Sequence, residues 1–264
     1  MTFSDLSLII ASGLGAGFIN AVSGGGAMLT VPALIFIGIP PGVANGTNRV
    51  AVVVQNIVAL ATYQRLGVAN HRLGLSLAPP AVLGSFLGAL ISIRLDDAQF
   101  RTILGFILLL LAGPIWAEPR LNAKAAQWRQ SHQGSWMPHL VFFFLGVYGG
   151  LLQIGVGIFV LVALSTFKGL DLVLANSVKV EIVLCLTALA LILFIIDGKV
   201  AWNAGLILSA SNSVGAWCGA QWGVKKGEAW IRMVLTITVI MMALQLLGVW
   251  SWLGSLLFLT RLSS

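Results

Sequence analysis

Long apolar runs alternate with short polar stretches along the whole chain. The runs cover Leu6–Gly38, Val43–Tyr63, Leu73–Ile93, Ile103–Ala117, Leu140–Phe167, Leu172–Ile196, Ala201–Val224 and Met233–Leu259. A membrane-spanning helix needs about 20 mostly apolar residues, and most of these runs reach that length. The sequence lacks the segments of about ten residues with alternating polarity that are typical of a membrane β-barrel. The pattern therefore predicts an all-α polytopic membrane protein.

The first run is too long for one membrane-spanning helix, and glycines interrupt it. As one straight helix, Leu6–Gly38 would measure about 50 Å against a hydrocarbon core of about 30 Å. Ser23-Gly24-Gly25-Gly26 lies in the middle of this run, and Gly155-Val156-Gly157 interrupts the fifth run. We predict a glycine-broken helical hairpin at each place, followed by three transmembrane helices. Re-entrant hairpins and hairpins with two spanning arms both fit the pattern.

The two halves of the chain match each other at a constant 131-residue offset, called here the repeat offset. The matching pairs are Gly24 and Gly155, Gly26 and Gly157, Phe36 and Phe167, Gly38 and Gly169, Ala44-Asn45 and Ala175-Asn176, Gly67 and Gly198, Gly74 and Gly205, Gly84 and Gly215, Gly88 and Gly219, and Arg101 and Arg232. Glycine pairs, an Ala-Asn dipeptide and an arginine would not share one ungapped register by chance. The sequence predicts an internal duplication, with membrane repeats at 1–117 and 138–264 joined by a hydrophilic loop at 118–137.

Charged residues are few, and most lie between the apolar runs. A chain with 58% hydrophobic and 9% charged residues is not a soluble enzyme, a disordered protein or a secreted disulfide scaffold. The loops at 65–72, 118–137 and 225–232 are positive, whereas those at 94–101 and 197–199 are neutral. Positive loops belong in the cytoplasm, so equivalent loops of the two halves fall on opposite sides. This predicts inverted-topology repeats and a cytoplasmic central loop in a multi-pass protein of the cytoplasmic (inner) membrane.

The glycine breaks are the first candidates for a binding site. Broken helices in inverted repeats commonly form the central site of a transporter, and the N–H groups freed at a helix N-terminus favour anions. The candidate backbone positions are Gly24, Gly25, Gly26, Gly155 and Gly157. The alternative is that these glycines only allow close helix packing, which is the role predicted for Gly84-x3-Gly88 and Gly215-x3-Gly219.

Arg49, Lys179 and Glu181 lie inside apolar runs, away from the ends of those runs. A charge at the centre of a membrane helix costs at least about 2.5–3.5 kcal/mol, so such residues are candidates for function. The repeat offset places Lys179 opposite Asn48, beside Arg49, and we expect the two cations to form a cleft for a small anion. The predicted hydrogen-bonding residues are Asn45, Thr47, Asn48, Asn176, Ser177 and Gln153. Alternatively, both cations extend to the lipid headgroups, since both lie near helix starts.

Glu181 has no acidic counterpart in the first half, where Val50 occupies the equivalent position. It is a candidate for coupling transport to a proton or a sodium ion, and a structural role or pairing with a cation stays open. Residues two apart do not share a helix face, so an ion pair with Lys179 is not expected.

Two motifs carry a resemblance to a known family. Residues 23–51 read SGGGAMLTVPALIFIGIPPGVANGTNRVA, and the second half contains Gly146-Val147-Tyr148-Gly149-Gly150, Gly155-x-Gly157, Lys179 and Gly198-x-Val200-x-Trp202. Together they resemble the paired signatures of the TauE/SafE family over nearly the whole chain. The resemblance implies a permease for small sulfur oxyanions or organosulfonates such as sulfite or sulfoacetate. Two elements, Gln153-Ile154-Gly155-Val156-Gly157 and Asn176-Ser177-Val178-Lys179, depart from the family pattern, and both add polar groups near the predicted site.

Other function classes fit the sequence less well. An intramembrane hydrolase using Ser23 would need a base within reach, but His71, His132 and His139 lie in or beside loops. A metal permease would need acidic, His or Met ligands in its spans, whereas the charge inside the apolar runs here is mainly cationic. A passive anion channel, or a permease for another small anion such as a carboxylate, stays as the alternative. We predict no catalytic residue, metal or cofactor; the expected partners are the bilayer, a small anion and a coupling ion, and not nucleic acid.

Overall fold

In a computed structural model, every regular element of the part described is helical. The structure describes residues 1–96, 98–99 and 136–246, with side chains as far as residue 238. The predicted run Ile103–Ala117, nearly all of the predicted loop at 118–137 and the end of the last run lie outside the described residues. The prediction of an all-α protein is confirmed for the described part of the chain.

Nine helices are described. They are α1 (Phe3–Val22), α2 (Ala27–Phe36), α3 (Pro41–Arg65), α4 (His71–Arg94), α5 (Met137–Leu151), α6 (Val156–Ala163, extended by a π-helical turn at Leu164–Lys168), α7 (Leu172–Ile196), α8 (Trp202–Lys226) and α9 (Glu228–Leu246). Of these, α1, α4 and α7 are long and apolar enough to cross a membrane. These three helices are candidate membrane spans.

The helices break where the glycine runs predict. The chain leaves α1 after Val22 and enters α2 at Ala27, and it folds back there, since a Cβ on Gly26 would lie 2.1 Å from the carbonyl oxygen of Ala16. The second break separates α5 from α6. The short helix α2, Ala27–Phe36, rises only about 15 Å, about half of the hydrocarbon thickness. The first hairpin thus has one long arm and one short arm, and its short arm does not span.

The repeat offset found in the sequence recurs in the structure. Helices α3 and α7 each contain 25 residues, and their first residues, Pro41 and Leu172, are equivalent positions of the two halves. Three pairs of glycines with positive φ obey the same offset: Gly24 and Gly155 (92° and 71°), Gly38 and Gly169 (89° and 67°), and Gly67 and Gly198 (74° and 68°). These are the left-handed conformations that glycine adopts without strain. The matched turns show that both halves follow the same succession of helices and breaks.

Helices of the two halves are interleaved. Helix α1 packs along α8, α4 packs along α5, and α3 contacts α7 and α8. Glycines allow these close approaches, as predicted: a Cβ on Gly84 would lie 2.0 Å from the carbonyl oxygen of Phe143, and one on Gly215 would lie 2.1 Å from that of Leu14. Each half therefore completes its packing on helices of the other half.

Candidate functional site

The two helix breaks meet at the centre of the bundle. A Cβ on Gly24 would lie 2.3 Å from the carbonyl carbon of Gly157, and a Cβ on Gly157 would lie 2.6 Å from the Cα of Gly24. Only residues without side chains permit this approach of one backbone to another. The contact brings the N-terminal ends of α2 and α6 to one place.

A small pocket lies beside this contact. Its lining residues are Asn20, Gly24, Ala27, Val52, Gln55, Asn56, Gln153, Val156, Gly157, Lys179 and Val183. They come from α1, both breaks, α2, α3, α6 and α7. Val52 and Val183 are equivalent under the repeat offset and line the same pocket. The pocket therefore lies where equivalent parts of the two repeats face each other.

Lys179 contributes the cation of the pocket. The residue is 2% exposed, and its Nζ donates hydrogen bonds to the carbonyl oxygens of Asn20 (2.8 Å) and Ala21 (3.3 Å) and to Oδ1 of Asn176 (2.5 Å). The two carbonyls belong to the last turn of α1, the negative end of that helix dipole. The ammonium group thus joins the pocket to the end of the first broken helix.

Arg49 holds the end of the other broken helix. Its guanidinium is fully buried and donates to the carbonyl oxygens of Gly149 (3.1 Å) and Gly150 (2.6 Å) and to Oε1 of Gln153 (3.0 Å). Its central carbon lies 4.5 Å from the centroid of the Phe194 ring, within the range of a cation–π contact. Arg49 does not line the pocket. The two predicted cations therefore hold two different helix ends, and only Lys179 borders the cavity.

Asn45 and Asn176 repeat this arrangement with neutral side chains. Nδ2 of Asn176 donates to the carbonyl oxygen of Val22 at 2.7 Å, at the end of α1. Nδ2 of Asn45 donates to that of Leu151 at 2.9 Å, at the end of α5. The last carbonyls of a helix have no partner within the helix, and this equivalent pair supplies one at each break. Neither asparagine lines the pocket.

Three more predicted residues make structural contacts outside the pocket. Oγ1 of Thr47 accepts a hydrogen bond from the N–H of Ala201 at 2.9 Å, Ser177 donates to the carbonyl oxygen of Val68 at 2.7 Å, and Oδ1 of Asn48 accepts from Thr30 at 2.6 Å. These bonds attach α3 and α7 to α2 and to the turns that precede α4 and α8. Of the predicted glycines, only Gly24 and Gly157 line the pocket; Gly25, Gly26 and Gly155 lie in the breaks beside it.

Gln153 is the predicted polar residue that does line the pocket. Its backbone adopts φ 63°, and among the described residues it is the one non-glycine residue with positive φ. Its Oε1 accepts from Arg49, and its Nε2 donates to Oγ1 of Thr187 at 2.9 Å. A backbone conformation that side chains rarely adopt persists where neighbouring contacts enforce it, often at functional sites.

Three amides of the pocket were not predicted from the sequence: Asn20, Gln55 and Asn56. Oδ1 of Asn20 accepts from the N–H of Gly26 at 2.7 Å, and its Nδ2 donates to Oε1 of Gln55 at 3.3 Å. Asn56 is 4% exposed, and its Nδ2 has no hydrogen-bond partner. Each of them is a polar side chain within an apolar run, which is a signal that the sequence contains. The predicted site was instead built from the charged residues, their polar neighbours and the glycine breaks.

The pocket is lined by carboxamide side chains and contains one positive charge. Carboxamide side chains, Lys179 and the first residues of two half-helices line a small volume. Helix N-termini attract anions because their first N–H groups lack partners within the helix and the helix dipole is positive there. Among the described residues, no group of His, Cys, Asp or Glu could hold a metal ion. One positive charge and two helix N-termini at one pocket are features that favour a small anion as the ligand.

Glu181 lies apart from the pocket. Its Oε1 is 3.1 Å from Nδ1 of His71 at the start of α4, and it does not line the cavity. A Cβ on Gly74 would lie 2.3 Å from Oε2 of Glu181, so the carboxylate rests against bare backbone of α4. As residues two apart on one helix predict, the carboxylate of Glu181 contacts His71 of α4 and not Lys179 of its own helix.

Comparison with known proteins places this arrangement in a family. The sequence profile of the family described as "Sulfite exporter TauE/SafE" matches residues 9–246. The chain belongs to the TauE/SafE family. This match confirms the resemblance found in the two glycine motifs. The family description and the names of related proteins identify the protein as a membrane transporter.

Relatives match this TauE/SafE chain over nearly its full length. A "Probable membrane transporter protein" of Haemophilus influenzae is 29% identical, covering 94% of this chain and 96% of its own. "Probable membrane transporter protein ORF9" of a Sinorhizobium species is 28% identical, covering 94% of both chains. "Probable membrane transporter protein YfcA" of Escherichia coli K12 is 27% identical, covering 88% of this chain and 86% of its own. No solved structure matches the chain.

Proposed function

We propose that the protein is a secondary transporter that moves small sulfur-containing anions, such as sulfite or organosulfonates, across the cytoplasmic membrane. One observation carries the proposal: Lys179 and the N-terminal ends of two half-helices converge on one buried pocket. A sulfonate or sulfite group presents three oxygen atoms, which accept hydrogen bonds from several directions. The unpartnered amide of Asn56 is a donor that matches them, and Lys179 supplies the positive charge.

Duplicated helices around a central pocket support an alternating-access mechanism. In the proposal, the repeats at 1–117 and 138–264 have inverted topology, and the segment at 118–137 is a cytoplasmic connection. Helices α3 and α7 correspond under the repeat offset, and each carries a cation that holds the break of the other half. Such paired elements allow one half to rock against the other around a fixed site.

The predicted residues have two roles in this transporter: some contact the anion, and others position the helix ends. Lys179, Gln153, Gly24 and Gly157 contact the anion, together with Asn56. Arg49, Asn45 and Asn176 act through other groups, since they fix the helix ends on which the pocket depends. They are positioning residues.

Binding of anions to the purified protein tests the proposal. In detergent, sulfite, sulfoacetate, thiosulfate, sulfate, taurine, acetate and succinate are each added, and the unfolding temperature is measured. A ligand present at 100 times its Kd stabilises the folded state by about 2.7 kcal/mol. We expect stabilisation by at least one sulfur anion, at least tenfold weaker binding in Lys179→Gln, and unchanged binding in the matched control Lys168→Gln, which removes an exposed lysine at the end of the π-helical turn.

The other outcomes are equally informative. Stabilisation by a carboxylate and by no sulfur anion would replace the substrate class and keep the site. Equal binding by the Lys179→Gln and Lys168→Gln variants would reject the site. In reconstituted vesicles, internal unlabelled anion should accelerate entry of labelled anion, as a carrier requires; entry that is indifferent to internal anion would favour the passive channel.

A further inference from the structure

Glu181 and His71 form an ionisable contact between α7 and α4 that the anion site does not use. The Glu181 side chain is 7% exposed and that of His71 is 43% exposed. Nε2 of His71 lies 2.8 Å from Nε2 of Gln64 at the end of α3, so the imidazole connects the exposed end of α3 to the buried carboxylate. An imidazole can carry a proton between solvent and a neighbouring acid. A proton can thus reach a buried acid through a group in contact with solvent.

The equivalent contact in the other repeat contains no ionisable group. The repeat offset relates Glu181 to Val50, His71 to Trp202 and Gly74 to Gly205. A Cβ on Gly205 would lie 3.6 Å from Cβ of Val50, whereas one on Gly74 would lie 2.3 Å from Oε2 of Glu181. The contact of this glycine with the facing helix is therefore apolar between α8 and α3. The equivalent contact between α4 and α7 contains a carboxylate that can be protonated.

Of the side chains around Glu181, His71 is the one that contacts its carboxylate. Among the described residues, the groups that interact electrostatically with the carboxylate are His71 on α4 and Cys185, one turn further along α7. Helix α3 contributes the neutral Gln64. In the described parts of α5, α6 and α9, no charged side chain lies within ion-pair distance of Glu181; Arg232 and Glu228 of α9 pair with each other.

We propose that the Glu181–His71 pair is the proton-binding site that couples to anion binding, an inference that rests on the proposed transport function. Lys179 and Glu181 are two residues apart on α7, so a displacement of that helix moves the anion-binding cation and the proton-binding carboxylate together. A proton bound at the pair makes α7 and its neighbours one charge more positive, which favours an anion in the pocket. By linkage, the anion then also favours protonation of the pair.

The test uses methanesulfonate, an anion that keeps its charge throughout the pH range studied. The full-length protein is titrated in detergent between pH 5.5 and 7.5, and labelled uptake is followed in reconstituted vesicles with an imposed pH gradient. In the wild type, affinity should rise toward low pH by up to about tenfold per pH unit, and the acid-outside gradient should drive accumulation. In Glu181→Gln, both dependences should disappear while exchange of internal for external anion persists.

Matched variants keep the result interpretable. Glu228→Gln removes an exposed acid of α9 and should behave as the wild type. Gly74→Ala displaces the carboxylate from α4 and should repeat the Glu181→Gln result if that contact is what matters. Affinity that stays pH-dependent in Glu181→Gln, or accumulation that persists in it, would overturn the inference while leaving the anion site intact. Absence of binding of every anion rejects the proposed function and this inference with it.

Discussion

Replacement of Gly24 by alanine is expected to destabilise the folded protein strongly, because the new methyl group collides with the backbone of the second break. Two effects combine at this position. Its φ of 92° is strained for a residue with a Cβ, which costs about 1–2 kcal/mol. The Cβ would also lie 2.3 Å from the carbonyl carbon of Gly157, and overpacking against a rigid neighbour adds about 1–3 kcal/mol or more. The free energy of unfolding of a whole domain is only about 5–15 kcal/mol.

Two other glycines separate these effects. Gly38 has φ 89°, but a methyl group there would meet no atom within 4 Å, so Gly38→Ala measures backbone strain alone. Gly157 has no positive φ, and its Cβ would lie 2.6 Å from the Cα of Gly24, so Gly157→Ala measures the collision alone. Unfolding temperature in detergent and the monodisperse fraction in size-exclusion chromatography should decrease in the order Gly38→Ala, Gly157→Ala, Gly24→Ala. Equal behaviour of the Gly24 and Gly38 variants would mean that the two breaks do not touch.

Replacement of Arg49 by glutamine is expected to destabilise the protein by about 3–5 kcal/mol, the range for removing one partner of a buried charged interaction. The guanidinium satisfies two carbonyl oxygens at the end of α5 and Oε1 of Gln153. A shorter, neutral side chain leaves some of these buried acceptors without a donor, and it removes the contact with the Phe194 ring. Arg49→Lys should fall between the wild type and Arg49→Gln, because an ammonium group lacks the planar fork of a guanidinium.

Arg65→Gln is the matched control for this prediction. Arg65 is an exposed residue of the last turn of the same helix, α3, and surface substitutions usually change stability by less than about 0.5 kcal/mol. Thermal unfolding without added anion reports the difference between the two variants. Anion binding by the folded fraction reports the second distinction: Arg49→Gln should lose less affinity than Lys179→Gln, since Arg49 lies outside the pocket lining. Equal stability of the two arginine variants would contradict the helix-end role of Arg49.

Elements of the fold that depend on length and on glycine were predictable from the sequence. A run as long as Leu6–Gly38 cannot cross the hydrocarbon core as one straight helix, and a run of glycines marks the place where it breaks. The repeat offset then predicted the position of each equivalent break and turn in the second half. The lengths of the hairpin arms were not predictable, because α1 and α2 are both largely apolar and no polar boundary separates a spanning arm from a short one.

The candidate site was only partly predictable. Arg49 and Lys179 are buried, as charges inside apolar runs suggest, but the sequence placed them in one cleft, whereas each holds a separate helix end. Their partners are mainly backbone carbonyl oxygens, which every residue carries and which no sequence pattern distinguishes. The pocket amides Gln55 and Asn56 were missed because in an apolar helix the hydrophobic pattern does not indicate which face turns toward a cavity.

The reciprocal attachment of the helix ends has a consequence for biosynthesis. The carbonyls that Lys179 binds, those of Asn20 and Ala21, belong to a segment made before Lys179 itself. Arg49 instead binds carbonyls about 100 residues further along the chain, which at 5–20 residues per second are translated about 5–20 s later. During that interval the nascent first repeat holds a cation without its native partners, so Arg49 completes its contacts only when the second repeat has been inserted. Assembly of the second repeat is therefore the step that stabilises the first.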